Sequence, residues 1–345
     1  MPSFSFARSS ITVHPVARRG TQPKLADVVG VGINATDTVI RLPRFPEFNS
    51  KIEASSAAVL PGGQVATALI ACRKWKLSAR YIGSIGDDTA GELQRMSLQN
   101  AGVETHFAHV KNCLSQFSFI LVDEQSGERT ILWKRDPRLT LKAQHLKKHW
   151  ILNSRILLVD GHDTGAAAQA AQWARSARIP VVADVDNIYS GLEALLKQTD
   201  YLFASREFPA RLLNETNLLA ALPQISQHYG CKITGVTLGR LGTLAWDGFR
   251  FHYSRGFEVR AIDTTGAGDV FHAGVVYGIL RQWPLQETLE FSCAAAALNC
   301  TALGARGGIK SLHEIRNFMK HSKRSEPAFS PAELMRLAQS HRGAR

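Results

Sequence analysis

The stretch Ala261-Ile262-Asp263-Thr264-Thr265-Gly266-Ala267-Gly268-Asp269-Val270-Phe271 decides how the chain is read. It opens as a short apolar strand and passes through small residues. It then predicts a helix from Asp269 to Leu280, where Val270, Ala273, Gly274 and Tyr277 recur at helical spacing. A Gly-Ala-Gly turn at a helix start leaves the N–H groups of Gly266, Ala267 and Gly268 without carbonyl partners. With the positive helix end they form an anion site, most simply for phosphate. Asp269 stands at its mouth. A carboxylate beside phosphate is unfavourable for binding alone, and makes sense as the base that takes a proton from a hydroxyl attacking the phosphate. The same residues also fit an Asp cap after a glycine turn.

The longer string from Asp263 to Asp269, followed by Phe271 and small residues, closely resembles the C-terminal signature of the ribokinase-like (PfkB) carbohydrate kinases. The resemblance runs from about Asp27 to about Lys320. It implies an α/β fold with a mainly parallel central sheet covered by helices and a small β-sheet lid that closes over a sugar. It also implies ATP and Mg2+ as cofactors, K+ as a monovalent cation, and a homodimer formed through the lid.

Size and composition agree with that class. The 345 residues, 45% of them hydrophobic, suit one large α/β domain or two small ones. No run approaches the ~20 apolar residues of a membrane helix. Cys72, Cys113, Cys231, Cys293 and Cys300 are scattered without a CxxC, which fits free thiols in a reducing cytoplasm rather than zinc or disulfides. The net charge is +12, of which residues 1–24 hold +4 and residues 321–345 hold +3. The remaining +5 is too mild to argue for a nucleic-acid surface. Residues 1–24 lack the apolar core of a secretory signal; they contain Ser and Arg and no acid, as transit peptides do, and are read instead as a disordered extension. Residues 25–321 are then the kinase domain and 322–345 a basic tail.

Along the chain, Asp27 to Ile33 reads as a buried first strand. The runs 37–42, 51–60, 114–122 and 129–133 alternate, so one face is wet, and they predict lid strands near 37–60 and 114–133. From Gly62 to Trp75 the pattern is helical. A strand at 79–84 and a helix at 89–100 follow. Strands at 155–159, 181–184, 201–203 and 232–238 then alternate with helices at 164–177, 188–196 and 206–213. An Asp247-Gly248 hairpin and helices at 286–303 and 311–320 finish the core. This rhythm argues for a parallel sheet with ligands beyond its carboxyl edge.

Other candidate residues follow from the resemblance. Gly62-Gly63-Gln64 with Thr67 matches the segment whose polar residues bind sugar hydroxyls, although a tight turn before a helix reads the same way. Asn34 and Asp37 match a further sugar-binding pair, or else an Asx turn. Asp88 or Thr89 reads as a helix cap. Glu207 matches the Glu of an Asn-x-x-Glu motif that places magnesium through water, with Ala204 in the Asn position. Thr237, Gly239 and Gly242 resemble the nucleotide-side loop, and Asn299, Gly304, Ala305 and Gly307 the segment closing the adenine pocket. Asp263 and Thr265 match ligands of the monovalent cation, or cap the glycine loop. Arg129, with Lys134, Arg135 and Arg138, is either a solvated face or a contact for an acidic or phosphorylated sugar. The expected activity is ATP-dependent phosphorylation of a hydroxymethyl group on a small free sugar of the fructose or ribose class. The run 126–133 is similar to ketohexokinase sequences, which favours a ketose. A nucleoside kinase and a non-catalytic sugar or nucleotide sensor are the alternatives.

Overall fold

A run buried on both faces belongs in the middle of a parallel sheet, and Val28 to Val31 is such a run. A computed structural model describes residues 25–330 and Leu334. In chain order its strands are β1 (Ala26–Val31), β2 (Ala35–Leu42), β3 (Ser56–Gly62), β4 (Ala79–Gly86), β5 (Glu104–Val110), β6 (Phe117–Asp123) and β7 (Arg129–Lys134). After these come β8 (Ser154–Asp160), β9 (Val181–Val185), β10 (Tyr201–Ser205), β11 (Ile233–Thr237), β12 (Thr243–Trp246) and β13 (Phe251–Ser254). The large sheet has nine strands in the order β13-β12-β11-β10-β9-β8-β1-β4-β5. The pairs from β11 to β5 are parallel, and β12 and β13 close one edge as an antiparallel hairpin. The chain leaves β1 toward β4 and later returns to β8 on its other side, so the sheet changes winding direction at β1–β8.

Successive residues of the central strands serve two cores. Val28, Ile156 and Leu158 face one; Val29, Val31, Leu157 and Val159 face the other. The first core holds the helices Gln64–Lys74, Ala267–Leu280 and Leu285–Asn299. Its centre is aromatic: Trp75 lies 5.2 Å from Phe291 and 5.8 Å from Tyr277, both edge-on. The Trp75 Nε1–H donates to Lys310 O at 2.9 Å, which satisfies its polar end. In Ala267–Leu280 every residue from Val270 to Gly278 is buried, so this helix is apolar all round instead of amphipathic.

The lid is a four-stranded sheet, β3-β2-β6-β7. Its turn is built by Asp123, whose Oδ1 accepts the N–H groups of Gln125 and Ser126. Its far end is fixed by a bidentate pair, Arg135 to Asp163 at 2.7 and 2.8 Å, in which Asp163 is buried.

Several expectations need correction. Strand β5 is absent from the sequence reading: it is an edge strand of mixed burial, paired only with β4, and has no clean alternation. The helix Leu218–Tyr229 has no counterpart in the sequence reading; it carries Pro223 in its interior. The helix expected at 188–196 is only Leu192–Leu196, entered through Gly191. The lid strand expected from residue 51 begins at Ser56. Ala261 to Asp263 is not a strand, since the N–H groups of Ile262 and Asp263 go to Cys300 O and that of Thr264 goes to Gly127 O. Asp88 does cap its helix, accepting from Gly91 N at 2.9 Å.

Residues 1–24 and most of 331–345 lie outside the described residues. Residues 323–329, expected in the tail, return to the body. Ser325 N donates to Gly256 O and Glu258 N to Lys323 O, both at 3.0 Å. The Arg324 guanidinium lies 3.9 Å from the centre of the Phe257 ring and 3.4 Å from Glu290. A chain ending at residue 321 is therefore expected to be less stable than the full chain by about 1–3 kcal/mol. Urea unfolding of the two checks this, and coincident midpoints would show that the segment contributes nothing.

Candidate active site

The carboxyl ends of β1, β8, β9, β10 and β11 open into one cavity of about 1130 Å³ at the point where the winding reverses. The lid covers it. The anion loop forms its floor. Gly266 is the helix N-cap at φ 76°, and a Cβ there would sit 2.2 Å from Ala305 O, so only glycine passes. The helix ladder begins with Val270 N to Gly266 O at 3.0 Å. Of the earlier amides, Ala267 N turns back to Thr264 O at 3.3 Å. Gly266, Ala267, Gly268 and Asp269 all line the cavity.

Asp269 sits among charges brought from distant parts of the chain. Burial is the largest influence and holds its carboxyl well above the ordinary range. Asp184 at the end of β9 adds to this as a like charge, whereas His272 and Arg129 oppose it. Asp184 is itself raised, by burial and by Asp186 and Asp160. The His272 Nδ1 lies 2.7 Å from Gly268 O and 3.2 Å from Asp184 Oδ2, and its Nε2 lies 3.1 Å from Phe203 O. The imidazole thus ties the first turn of the helix to β9 and β10. Burial pulls its pKa down, against the hydrogen bonds to Gly268 and Phe203.

At the lid end, Asp37 is buried, accepts from the Ser118 hydroxyl, and is raised by burial. Gly63, Gln64, Ser118 and Arg129 share the lining. Three rings gather there: Trp133 lies 5.8 Å from His162, and His162 lies 4.7 Å from Tyr189. At the other end the lining includes Thr237, Gly239, Gly242, Ala297, Ser325 and Glu326.

Other expected residues stand elsewhere. Asn34 is buried outside the lining, and its Nδ2 donates to the Tyr81 hydroxyl at 2.5 Å. Gly62 and Thr67 are held from behind by Arg306, whose Nη2 donates to Gly62 O at 2.6 Å and whose Nε donates to Thr67 Oγ1 at 3.2 Å. Asn299 is fully buried, and its Nδ2 clips Thr265 O and Ala305 O together at 3.2 and 3.0 Å. Glu207 is exposed, outside the lining, at the start of the helix Phe208–Leu213; Asp184 and Asp186, from the neighbouring strand β9 and the residues after it, do face the cavity. Asp263 is fully buried, with Oδ1 accepting Thr265 N and Oδ2 accepting Gly304 N, each at 2.8 Å. These are the bonds of a cap, and nothing in them requires a monovalent cation. Among the described residues no three potential ligands gather closely enough to hold a metal by themselves.

A model of the pfkB family of carbohydrate kinases matches residues 25–312. The chain belongs to this family. Its relatives include the ATP-dependent ribose-1-phosphate kinase of Halopiger xanaduensis, 27% identical over 283 residues, covering 81% of this chain and 93% of the relative. The ribokinase of Haemophilus influenzae is 26% identical over 307 residues, covering 87% and 99%. Among solved structures, a candidate ribokinase II from Escherichia coli in complex with ATP and Mg2+ superposes with a TM-score of 0.75 at 19% identity, covering 86% of this chain and 99% of that one. The protein is thus an ATP-dependent carbohydrate kinase with the ribokinase fold. Among the described residues no helix is long and apolar enough to cross a membrane.

Asp184, Asp186, His162, Tyr189, Trp133 and His272 were missed as site residues. His272 alone carried a signal, since it lies one helical turn beyond Asp269. The pfkB kinase should show the acid pair directly. With aspartate carboxyls labelled for NMR, and the signal assigned through Asp269→Asn, Asp269 is expected to titrate above the usual aspartate range. Asp184→Asn removes a like charge and should move that titration to lower pH; an unmoved titration would show that the two carboxylates do not interact.

Proposed function

We propose that this pfkB kinase transfers the γ-phosphoryl of ATP to a hydroxymethyl group of a small free sugar of the fructose or ribose class, with Asp269 as the base. The observation that carries this is the position of Asp269, facing the cavity one residue beyond the anion loop with its proton affinity raised. A raised pKa brings the carboxylate closer to working pH and makes it a stronger acceptor. The sugar oxygen attacks phosphorus as its proton passes to Asp269, and the amides of Gly266 and Gly268 receive charge on the transferred group, that of Ala267 being bonded to Thr264 O. Asp37, Gln64 and Ser118 supply acceptors and donors suited to sugar hydroxyls at the lid end. Magnesium, arriving with the nucleotide, supplies charge neutralisation at the phosphates. The lid excludes water that would otherwise take the phosphoryl group.

A second reading has its own support. The Trp133, His162 and Tyr189 rings suit a planar group on the acceptor, which favours a nucleoside. A panel of ketoses, aldopentoses, sugar phosphates and nucleosides, read by ADP release, separates the two. With the best acceptor, Asp269→Asn is expected to lose about 10²–10⁴ in rate while still binding ATP. Near-normal turnover would remove Asp269 from the role.

The lid also supports pairing of two chains. Val59, Thr38, Phe119 and Leu132 form one row across β3-β2-β6-β7, and Val59, Phe119 and Leu132 are 60%, 45% and 55% exposed. An apolar row on an outward sheet face fits a second copy of the same lid. Sedimentation should give a dimer that Phe119→Glu converts to monomer; a wild-type monomer at all concentrations would sink this.

A further inference from the structure

Arg306 leaves the loop that backs the anion site and turns toward the other end of the cavity. The loop itself is fixed: Ala305 O accepts from Asn299 Nδ2 at 3.0 Å, and a Cβ on Gly308 would lie 2.3 Å from Asn299 O. From there the guanidinium enters the space between the helices Gln64–Lys74 and Thr89–Asn100. Its three hydrogen bonds all end on neutral oxygens. Nη2 donates to Gly62 O and Nη1 to Ser97 Oγ, both at 2.6 Å, and Nε donates to Thr67 Oγ1 at 3.2 Å. Among the described residues no carboxylate bonds to it. Burial pulls its pKa down to about 10, so it keeps its charge at neutral pH. A cation enclosed among neutral oxygens is costly, and helix packing alone does not call for one, since an apolar side chain would fill the same space.

A use for the charge lies across one peptide. Gly62 ends β3 opposite Ala35 of β2, and a Cβ on Gly62 would collide with Asp37 Oδ2. The Asp37 carboxylate therefore rests on the same backbone whose carbonyl Arg306 holds. Asp37 is buried and lines the cavity, and the Ser118 hydroxyl of β6 donates to its Oδ1. Two charged groups act on it. Arg306 favours the ionised form and Asp263 opposes it; Asp37 in turn acts on Asp269. An ionised carboxylate accepts hydrogen bonds on both oxygens, whereas a protonated one gives up part of that capacity.

We propose that Arg306 is a positioning residue for the acceptor: it fixes the Gly62 peptide and supplies, from behind it, the counter-charge that Asp37 needs to receive acceptor hydroxyls. The proposal rests on the sugar-kinase reading, in which Asp37 meets the acceptor. Arg306 itself stands outside the cavity lining, so its loss should appear in KM and not in kcat. It lies 244 positions beyond Gly62, and only the folded chain brings the two together.

Two measurements on the full chain test this. The first needs no acceptor. With aspartate carboxyls labelled for NMR and Asp37 assigned through Asp37→Asn, Arg306→Gln should raise the titration of Asp37 by about one pH unit, and Arg306→Lys, which keeps the charge, should leave it nearly in place. The second uses D-fructose or D-ribose, whichever is phosphorylated. Arg306→Gln should raise the KM for that sugar about tenfold, with kcat and MgADP affinity within about threefold of wild type. The gap in KM should widen from about pH 8 to about pH 6, because the variant's Asp37 takes up its proton at higher pH. In an Asp37→Asn background, Arg306→Gln should cost less than about threefold in KM. If Asp37 titrates unchanged in Arg306→Gln, or if that substitution raises KM equally with and without the Asp37 carboxylate, Arg306 only packs helices; the proposal is overturned and the sugar-kinase reading stands. Loss of MgADP binding in Arg306→Gln, or an Arg306→Lys that matches Arg306→Gln, overturns it in the same way. If Asp37 responds to Arg306 but wild type phosphorylates neither sugar, the sugar reading fails and the positioning role with it.

Discussion

Asp263 holds together the two loops that frame the reacting end of the cavity. One oxygen takes the Thr265 amide and the other the Gly304 amide, from opposite sides of the helix pair Ala267–Leu280 and Leu285–Asn299. A carboxylate with no exposure is costly unless its charge is met by donors, and two amides at 2.8 Å meet it. Gly266 can then turn left-handed against Ala305, and the Asn299 amide fastens the same two strands of backbone from the other side. The start of the helix is thereby defined before any ligand enters.

The charges above that floor come from separate layers of the fold. Asp184 lies near the end of β9, His272 belongs to the helix Ala267–Leu280, Asp37 lies in the lid sheet, and Arg129 opens its edge strand β7. Each acts on Asp269. The proton affinity of that one carboxylate therefore depends on the sheet, the helix and the lid together. Moving Arg129 away from Asp269 would raise the proton affinity of that carboxylate further.

Much of this was legible in the sequence, for reasons that differ by region. The central strands are continuous apolar runs and the helices between them are regular, so the α/β class and most elements could be read directly. Strand β5 and the helix containing Pro223 break the local rules on which such reading depends. In the site, the motif carried Gly266 to Asp269 because those residues are contiguous. Asp184 and Asp186 lie more than eighty positions away, and only the parallel sheet brings their strand end to the same mouth. Thr67 failed for a related reason. Its position on the helix is one turn from Gln64, as sugar binding would need, but Arg306 from the far end of the chain covers it.

The return of residues 323–326 to Phe257 and Gly256 also orders events during synthesis. Strands β1 to β7, with the whole lid, leave the ribosome early, at a rate of about 5–20 residues per second. The wall formed by Ser325 and Glu326 can be laid down only after every strand of both sheets has been made. A nascent chain therefore carries the lid end of the cavity well before the opposite end, whose last wall is missing until residues 325 and 326 have emerged.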